Sequence, residues 1–484
     1  MRPHLWDPWA TARTAPDRTA VVADDETYTF AELTSRADAL AGALRARGVP
    51  DGTILSTDIP TGPRFFALVL AALRHGHGLF PIAPNLLALP EGPSLLTDAG
   101  VALHLTTGAP TAGGPTLPCP VVGDDDLLAG VAHAPAVPAP APPPAAGHLV
   151  FATSGTTGLP QAVVRTRPNR PYKGVAVAER YGAGLSRGPH LMANPTYHLG
   201  TLGPALYALQ AGSAVVVQRT WSTSGFAELA DRYAADSVML SPDRLTDLVT
   251  AGQAPHRRFQ VVFHGGAACP PAVKRAAIDL FGPVLHEYYG TSKSVLTEIT
   301  APEWLDKPGS VGRPLPGIRI EVTRDGRALP PGEVGEIGIR LRAADRDPSE
   351  APVHATGDVG FLDADGYLFV IGRAGTPQEL RTAQLEHEIR LLPGVTDAVV
   401  LGDPAPVCFV EHGDGRALPD PVPAIEASAR RIGLPAPRVV LSASGSLPRT
   451  PSGKIRRAEL AGVAAGFTGA GAGAGAGAEA EGRG

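Results

Sequence analysis

The chain has 484 residues, of which 44% are hydrophobic and 18% charged, and its formal net charge is -5. This length predicts more than one domain. A weakly acidic net charge without a basic stripe argues against nucleic-acid binding. The longest apolar runs, such as residues 67–73, are too short to span a bilayer. Because the first residues lack the apolar core of a secretory signal, we expect a cytoplasmic protein without a membrane partner. The scattered cysteines, Cys119, Cys269 and Cys408, predict buried or half-buried residues rather than disulfides or a zinc site.

Helix and strand signals alternate in the first part of the chain. Leu33, Ala37, Leu40 and Leu44 lie on one face of a predicted helix that Gly48 ends, and residues 64–74 form a second amphipathic stretch. This alternation predicts a layered α/β domain. Residues 134–147 are rich in proline and alanine, which predicts a surface connection that leads into a glycine-rich loop.

The glycine-rich loop covers residues 153–160, between predicted strands at 148–153 and 162–165. Glycines let backbone N–H groups turn toward an anion, and hydroxyls donate further hydrogen bonds to phosphate oxygens. A P-loop NTPase is disfavoured, because its Gly-Lys-Ser/Thr and following helix are both missing, and a hairpin connection without a ligand is the structural alternative. The candidate phosphate-binding residues are Thr153, Ser154, Gly155, Thr156, Thr157 and Gly158.

Further βα units are predicted beyond the loop, with short buried strands at 214–218, 237–240 and 260–263. After Gly317 the pattern changes to strands separated by Asp-Gly turns, which predicts a meander. Its strands are predicted at 318–322, 334–340 and 367–371. A smaller α/β segment follows at about 375–462, and the Gly-Ala repeats at the end of the chain predict disorder.

Several motifs then align in order with one family. Together they resemble the adenylate-forming superfamily of acyl-CoA synthetases, peptide-synthetase adenylation domains and luciferases, over nearly the whole chain. The motifs lie at residues 153–160, 194–198, 265–268, 289–292, 309–314, 356–358, 372–373 and 448–454.

The resemblance implies an α/β fold in two domains. The large AMP-binding domain would cover residues 1–373, with layered α/β subdomains and a β-rich part at about 317–373. A small mobile α+β domain would cover 374–466 and carry Lys454, and residues 467–484 would form a disordered Gly/Ala tail.

The resemblance also assigns nucleotide-binding roles. Asp358 would accept both ribose hydroxyls, Arg373 would contact the ribose near the hinge, and Tyr289 would stack on adenine. Their structural alternatives are a turn aspartate, a surface arginine and a core tyrosine. The other implied nucleotide-binding residues are Gly265, Gly266, Ala267, Tyr288, Gly290, Thr291 and Ser292, whose hydroxyl would donate to the α-phosphate.

The implied catalytic residues are Lys454, His198 and Ser292. The Lys454 ammonium lies in a glycine-containing loop and would neutralise the incoming carboxylate and the α-phosphate when domain closure delivers it. The alternatives are a solvated lysine and a structural histidine. The implied acid pocket comprises Tyr197, His198, Gly200, His264 and Gly290.

The chain departs from the family pattern at three places. Gln161 follows the phosphate loop where the family has Lys, and Lys293 stands where the family has the Glu that serves Mg²⁺, so no metal ligand is assigned. Three arrangements would allow adenylation: ATP and water alone hold Mg²⁺, the Lys293 charge replaces part of the metal's charge, or Glu298 takes the place of the missing ligand. The fourth option is that adenylation is impaired. The hinge at 375–384 keeps almost none of the family pattern, although Gly375 retains the backbone freedom that a hinge needs.

These observations favour an ATP-dependent ligase that activates a carboxylic acid as an acyl adenylate, releases pyrophosphate and transfers the acyl group to a thiol. The acceptor would be coenzyme A or the phosphopantetheine of a carrier protein, with ATP and Mg²⁺ as cofactors. The altered hinge leaves open a second reaction, adenylation of nitrite with transfer to an aryl amine. A third hypothesis is a non-catalytic family member that binds nucleotide or an acyl ligand.

Overall fold

The computed structural model describes residues 8–24, 26–107, 116–129, 147–152, 161–164, 188–197, 199–291, 294–341, 352–373, 375–402, 405–413, 419–449 and 455–469. The helices of these ranges are α1 (Pro8–Thr14), α2 (Phe30–Ala46), α3 (Pro63–Arg74), α4 (Pro84–Leu87), α5 (Gly92–Asp98), α6 (Asp124–Ala129), α7 (Leu199–Gln210), α8 (Thr223–Arg232), α9 (Pro242–Ala251), α10 (Pro271–Phe281), α11 (Ala301–Asp306), α12 (Pro377–Arg390), α13 (Val422–Ile432) and α14 (Arg457–Gly469). The strands are β1 (Thr19–Ala23), β2 (Glu26–Thr29), β3 (Ile54–Thr57), β4 (Gly78–Pro81), β5 (Val101–Thr106), β6 (Val121–Gly123), β7 (His148–Ala152), β8 (Ala162–Val164), β9 (His190–Met192), β10 (Val215–Val217), β11 (Ser237–Leu240), β12 (Val261–Gly265), β13 (Leu285–Thr291), β14 (Ser294–Thr300), β15 (Arg313–Pro314), β16 (Ile318–Arg324), β17 (Arg327–Ala328), β18 (Gly335–Leu341), β19 (His354–Leu362), β20 (Leu368–Arg373), β21 (Val395–Leu401), β22 (Val407–His412) and β23 (Arg438–Ala443).

The largest sheet has nine strands in the order β15-β14-β13-β12-β11-β9-β10-β1-β2. Its central strands are parallel, whereas β2 pairs antiparallel with β1, β14 with β13 and β15 with β14. Strands β10 and β11 are buried along their whole length, as expected for parallel strands covered on both faces. The strands predicted at 214–218, 237–240 and 260–263 are confirmed as β10, β11 and β12.

A second sheet of six strands has the order β6-β5-β3-β4-β7-β8. A shared apolar cluster, which includes Val21 of β1, Leu55 of β3 and the buried faces of α2 and α3, joins it to the nine-stranded sheet. The predicted apolar face of α2 is confirmed, because all four of its residues are buried. Strands β7 and β8 pair antiparallel, which confirms the predicted strands on either side of the glycine-rich loop.

The β-rich part is a five-stranded antiparallel sheet with the order β17-β16-β18-β19-β20. The three strands predicted for the meander are found as β16, β18 and β20, but the sequence reading missed β19, which pairs between β18 and β20, and the short strand β17 outside β16. The hairpin between them turns at Asp325 and Gly326, whose φ values of 52° and 74° lie in the left-handed region that Asp-Gly favours.

The C-terminal part has a three-stranded sheet, β21-β22-β23, covered by α12, α13 and α14. It is a smaller unit that follows the β-rich sheet. Together with the two layered sheets and the β-rich sheet, it confirms the α/β class predicted from the sequence. Helix α12 packs against the β-rich sheet, where His387 lies edge-on to Phe361 and Phe369. Helix α14 extends to Gly469, past the predicted start of the tail at 467. The domain boundaries given above stay predictions.

Some of the other sequence predictions concern described residues, and others lie outside them. Cys119 and Cys269 are half-buried and Cys408 is buried, as predicted. Most of the 134–147 connection and the tail from 470 onward lie outside the described residues. Among the helices given above, none has both the length and the apolar character needed to cross a membrane.

Candidate functional site

Three predicted nucleotide-binding residues meet where the nine-stranded sheet adjoins the β-rich sheet. The hydroxyl of Tyr289, on β13, donates to Oδ2 of Asp358, on β19, at 2.6 Å. Arg373 lies opposite Asp358 on the paired strand β20, and its Nε is 3.2 Å from Asp358 Oδ1. The Asp358 side chain is 14% exposed and that of Arg373 is 62% exposed, so the group is fixed on one side and open to solvent on the other.

The local backbone explains how Asp358 reaches this position. Gly357 has a φ of +78°, which an L side chain rarely adopts, and a Cβ there would lie 3.3 Å from an Arg373 guanidinium nitrogen. The Thr356 hydroxyl donates to the carbonyl oxygen of Ile337 at 2.9 Å and accepts from the Asp358 N–H at 3.1 Å. The Thr-Gly-Asp motif therefore positions its carboxylate through each of its three residues.

The electrostatics of the site keep Tyr289 protonated. Burial raises the pKa of Tyr289 above its usual range, and its hydrogen bond to Asp358 raises it further. A carboxylate offers about four lone-pair sites, so Asp358 can accept from Tyr289 and Arg373 and still accept two hydroxyl groups. This donor and acceptor set fits the vicinal hydroxyls of a ribose, while the stacking of Tyr289 on adenine stays a prediction.

Tyr288 lies on the opposite face of β13 from Tyr289, as successive residues of a strand do. It belongs to a buried cluster with Tyr207, Met239, Val261 and Phe263. Tyr288 therefore lies on the other side of β13 from the group formed by Tyr289, Asp358 and Arg373, and its nucleotide-binding role stays a prediction.

The predicted glycine segment lies at the carboxyl end of β12. Gly265 is buried against Tyr288, whereas Gly266, with a φ of +84°, and Ala267 are exposed. Gly290 and Thr291 end the neighbouring strand β13, where Gly290 is also exposed. These residues border the edge of the sheet where ligands of open α/β sheets bind.

His264 is fully buried on the face of β12 opposite to Gly265. Burial lowers its pKa well below the usual value, and the charge of Lys274 lowers it further. Neither ring nitrogen has a hydrogen-bond partner among the described residues. Since Gly265 pairs with Tyr288, the His264 side chain lies on the other face of the sheet from Tyr288, and its place in the acid pocket stays a prediction.

The segment that ends at Tyr197 packs against neighbouring elements. The Asn194 side-chain oxygen accepts from the Ser241 hydroxyl at 3.3 Å, and the Thr196 and Thr61 hydroxyls are 3.1 Å apart. Tyr197 is half-buried, and burial raises its pKa. Gly200, in α7, lies against the Tyr288 hydroxyl.

Several predicted residues lie outside the described ranges. They are the phosphate loop at 153–160, His198, Ser292, Lys293 and Lys454. Ala152 pairs with Ala162 across the stems of the phosphate loop, and an isolated bridge between Arg449 and Ile455 joins the stems of the loop that carries Lys454.

Sequence reasoning missed a cluster of buried carboxylates that contact arginines on either side of residues 450–454. Arg449 Nη2 lies 2.9 Å from Asp397 Oδ2 and 3.0 Å from Glu411 Oε2. On the other stem, Arg457 Nη2 lies 2.6 Å from Glu386 Oε1. Arg449 and Arg457, near Lys454, were the available signal, but nothing in the sequence indicates that Glu386 in α12, Asp397 in β21 and Glu411 in β22 are buried.

The described residues contain no group of His, Cys, Asp or Glu side chains arranged to hold a metal ion. Glu298, the alternative metal ligand, is 5% exposed and its Oε1 lies 3.1 Å from His286 Nδ1. Glu298 is thus engaged inside the protein rather than open to a metal bound to ATP.

The nine- and six-stranded sheets, the group of Tyr289, Asp358 and Arg373 where the nine-stranded sheet adjoins the β-rich sheet, and the small C-terminal unit together fit an ATP-dependent, AMP-forming ligase. The chain belongs to the AMP-binding enzyme family, whose model matches residues 8–343. The resemblance to the adenylate-forming superfamily is thereby confirmed.

Individual relatives agree with this assignment. The chain is 29% identical to the sulfoacetate–CoA ligase of Cupriavidus necator, over 92% of this chain and 94% of that protein. It is 26% identical to the fatty acid–[acyl-carrier-protein] ligase ScoC of Streptomyces coeruleorubidus, over 93% of this chain and 94% of that protein. The fold matches o-succinylbenzoate coenzyme A synthetase of Bacillus subtilis in complex with AMP, with a TM-score of 0.73 at 22% identity, over 95% of this chain and 98% of that chain.

Proposed function

We propose that this ligase activates a carboxylic acid as an acyl adenylate, releases pyrophosphate, and transfers the acyl group to a thiol of coenzyme A or of a carrier protein, with AMP as the leaving group. The observation that carries the proposal is the contact of Tyr289, Asp358 and Arg373. It provides a carboxylate held on one side and open on the other, which suits the ribose of ATP. The named CoA and carrier-protein ligases among the relatives support a thiol acceptor.

In the proposed reaction, a carboxylate oxygen attacks the α-phosphorus of ATP. An oxygen–phosphorus bond forms, the bond from the α-phosphorus to the bridging oxygen breaks, and pyrophosphate leaves with the electron pair. Asp358 and Arg373 would hold the ribose, and Lys454 would offset the charge that develops on the α-phosphoryl oxygens. Because Lys293 replaces the family glutamate and Glu298 is paired, we assign no protein ligand to Mg²⁺ and route no step through it.

The first test is pyrophosphate release by Asp358→Asn over a range of ATP concentrations. Loss of a charged acceptor of ribose hydroxyls should lower kcat/KM for ATP by about 10- to 150-fold, which corresponds to about 1.5–3 kcal/mol. Asp325→Asn makes the same change at an exposed turn and should leave the kinetics unchanged. An Asp358→Asn enzyme with the wild-type kcat/KM for ATP would contradict the ribose assignment.

The second test separates catalysis from binding. Lys454→Ala should lose pyrophosphate release and keep ATP binding, because the ammonium acts mainly in the transition state. Unchanged release would refute the role given to Lys454. A wild-type chain that binds ATP but releases no pyrophosphate with any acid or with nitrite would support a non-catalytic binding protein.

The acceptor needs its own test, because the hinge departs from the family pattern. Thr376 caps α12 through a capping box with Glu379, and a Cβ on Gly375 would lie 2.5 Å from a Glu379 carboxylate oxygen. In this structure the hinge residues therefore form the N-terminal cap of α12. The products are analysed with coenzyme A, with a phosphopantetheinylated carrier protein and with aryl amines as acceptors. We expect a thioester. If an acid or nitrite triggers pyrophosphate release only when an amine is present, the proposed thiol acceptor is wrong.

A further inference from the structure

Helix α12 lies between the β-rich sheet and the core of the small C-terminal unit. A Cβ on Gly372, in β20, would lie 3.2 Å from the Ala383 Cβ. One turn farther along the helix, the His387 ring lies edge-on to Phe361 and Phe369, with ring centroids 6.3 and 6.2 Å away. One side of α12 is therefore packed on β19 and β20.

The opposite side of α12 belongs to the small unit. Leu385 and Ile389, each two positions from the contacts above and so on the other side of the helix, are fully buried in the apolar core of this unit. Glu386 Oε2 accepts the backbone N–H of Val400, in β21, at 2.9 Å. These contacts make α12 part of the small unit, so a rotation of that unit would pull α12 away from the β-rich sheet.

The connection between the two units leaves little chain for a rotation. Only residues 374–376 join the end of β20 to the start of α12. The last of them, Thr376, already caps the helix, because its N–H donates to Glu379 Oε2 at 2.6 Å and its hydroxyl accepts the Glu379 N–H at 3.3 Å. Strand β21 also lies against α10, which packs on the nine-stranded sheet. A rotation would thus break packing at two places.

We infer that the small C-terminal unit keeps one position on the β-rich sheet, and that adenylation and acyl transfer both take place in this position. The inference rests on the proposed function, because it concerns the two steps of the proposed reaction. In the second step the thiol sulfur attacks the acyl carbon, and a carbon–sulfur bond forms. The bond from the acyl carbon to the phosphate oxygen breaks, AMP leaves with the electron pair, and the thiol proton passes to solvent. The inference replaces the mobile small domain that the family resemblance implies.

A disulfide between Gly372→Cys and Ala383→Cys tests the inference by joining β20 to α12. A disulfide usually separates its Cβ atoms by about 3.8 Å, which a small shift of α12 provides from the 3.2 Å found here. The kcat for thioester formation is measured for the oxidised and the reduced double variant, and intact mass before and after the assay shows whether coenzyme A has opened the bridge. The oxidised form should turn over repeatedly, with a kcat within about fivefold of that of the reduced form.

A larger loss of kcat on oxidation, restored by dithiothreitol, would overturn the inference. In that case the oxidised enzyme should still form the acyl adenylate and release pyrophosphate but make no thioester. The controls are the two single variants, which cannot form the bridge. Each should keep its own kcat after treatment with the oxidant, which excludes oxidation of the native cysteines as the cause of a loss.

If the bridge does not form, a distance measurement replaces it. Spin labels are attached at Glu333→Cys in the β-rich part and at Arg430→Cys in the small unit, whose native side chains are 49% and 70% exposed, and the labelled wild type gives the background. Double electron–electron resonance should give one distance with ATP, with ATP and acid, and with a stable acyl-adenylate analogue and coenzyme A. A second distance in any of these states would overturn the inference.

Failure of the proposed function gives a different result. Neither the wild type nor the reduced double variant would then release pyrophosphate with any acid. The distance between the spin labels would still decide whether the small unit keeps one position.

Discussion

Replacing Arg449 with Met is expected to loosen the base of the loop that carries Lys454. One guanidinium nitrogen of Arg449 contacts Asp397 at 2.9 Å and Glu411 at 3.0 Å, and these two carboxylates are 4% and 2% exposed. Met fills a similar volume but leaves both carboxylates without this partner. Removal of one partner from a buried ion pair costs far more than loss of an exposed pair.

The size of the effect follows from the partners that stay in place. Asp397 keeps Arg390 Nε at 2.8 Å, and Glu411 keeps the backbone N–H of Leu447 at 2.6 Å. We therefore expect the low end of the range for a broken buried pair, about 3 kcal/mol. A loss of about 3 kcal/mol corresponds to a roughly 150-fold increase in the local opening equilibrium.

Hydrogen exchange of the whole chain, followed by mass spectrometry, measures this opening locally. Amides of β22 (Val407–His412), which carries Glu411, should exchange about 150-fold faster in Arg449→Met, whereas those of the nine-stranded sheet should not change. The kcat for pyrophosphate release should fall while KM for ATP stays the same, because the group that contains Asp358 lies outside this unit.

The control is Arg430→Met in the same unit. Arg430 is 70% exposed, and its contact with Glu426 is long, at 4.0 Å, so its loss should cost less than about 1 kcal/mol. If Arg449→Met exchanges like the wild type, or if exchange accelerates equally in every sheet, the reasoning from the buried carboxylates is wrong.

Three further predictions concern single side chains. Tyr289→Phe removes the donor to Asp358 at 2.6 Å and should raise KM for ATP about tenfold in pyrophosphate-release assays; an unchanged KM would count against the site. Gly357→Ala must adopt a φ of +78°, which should cost about 1–2 kcal/mol in urea unfolding, and an unaltered midpoint would show that no strain arises. Burial and the charge of Arg390 lower the pKa of His387 to about 4 from an ordinary 6.5, so the unfolded chain binds more protons between these values. Stability should therefore fall by up to about 3 kcal/mol as pH drops from 6.5 to 4, and His387→Gln should flatten this part of the unfolding free-energy curve measured against pH.

The sequence alone determined the local elements and the class of enzyme. The apolar face of α2, the strands on either side of the glycine-rich loop and the Asp325-Gly326 turn follow from residue periodicity and backbone preference, both of which act over a few positions. The order of the motifs was enough to indicate an adenylate-forming ligase, since each motif keeps its own local chemistry.

Only the tertiary structure decided which of these residues meet. Tyr289 and Asp358 are 69 positions apart and come together because β13 and β19 adjoin at the junction of two sheets. Tyr288, its neighbour in sequence, faces α7 instead, and Arg449 finds buried carboxylates on two other strands. Periodicity reports whether a residue is buried, whereas its partner depends on strand pairing and sheet packing between distant segments, which no local pattern specifies.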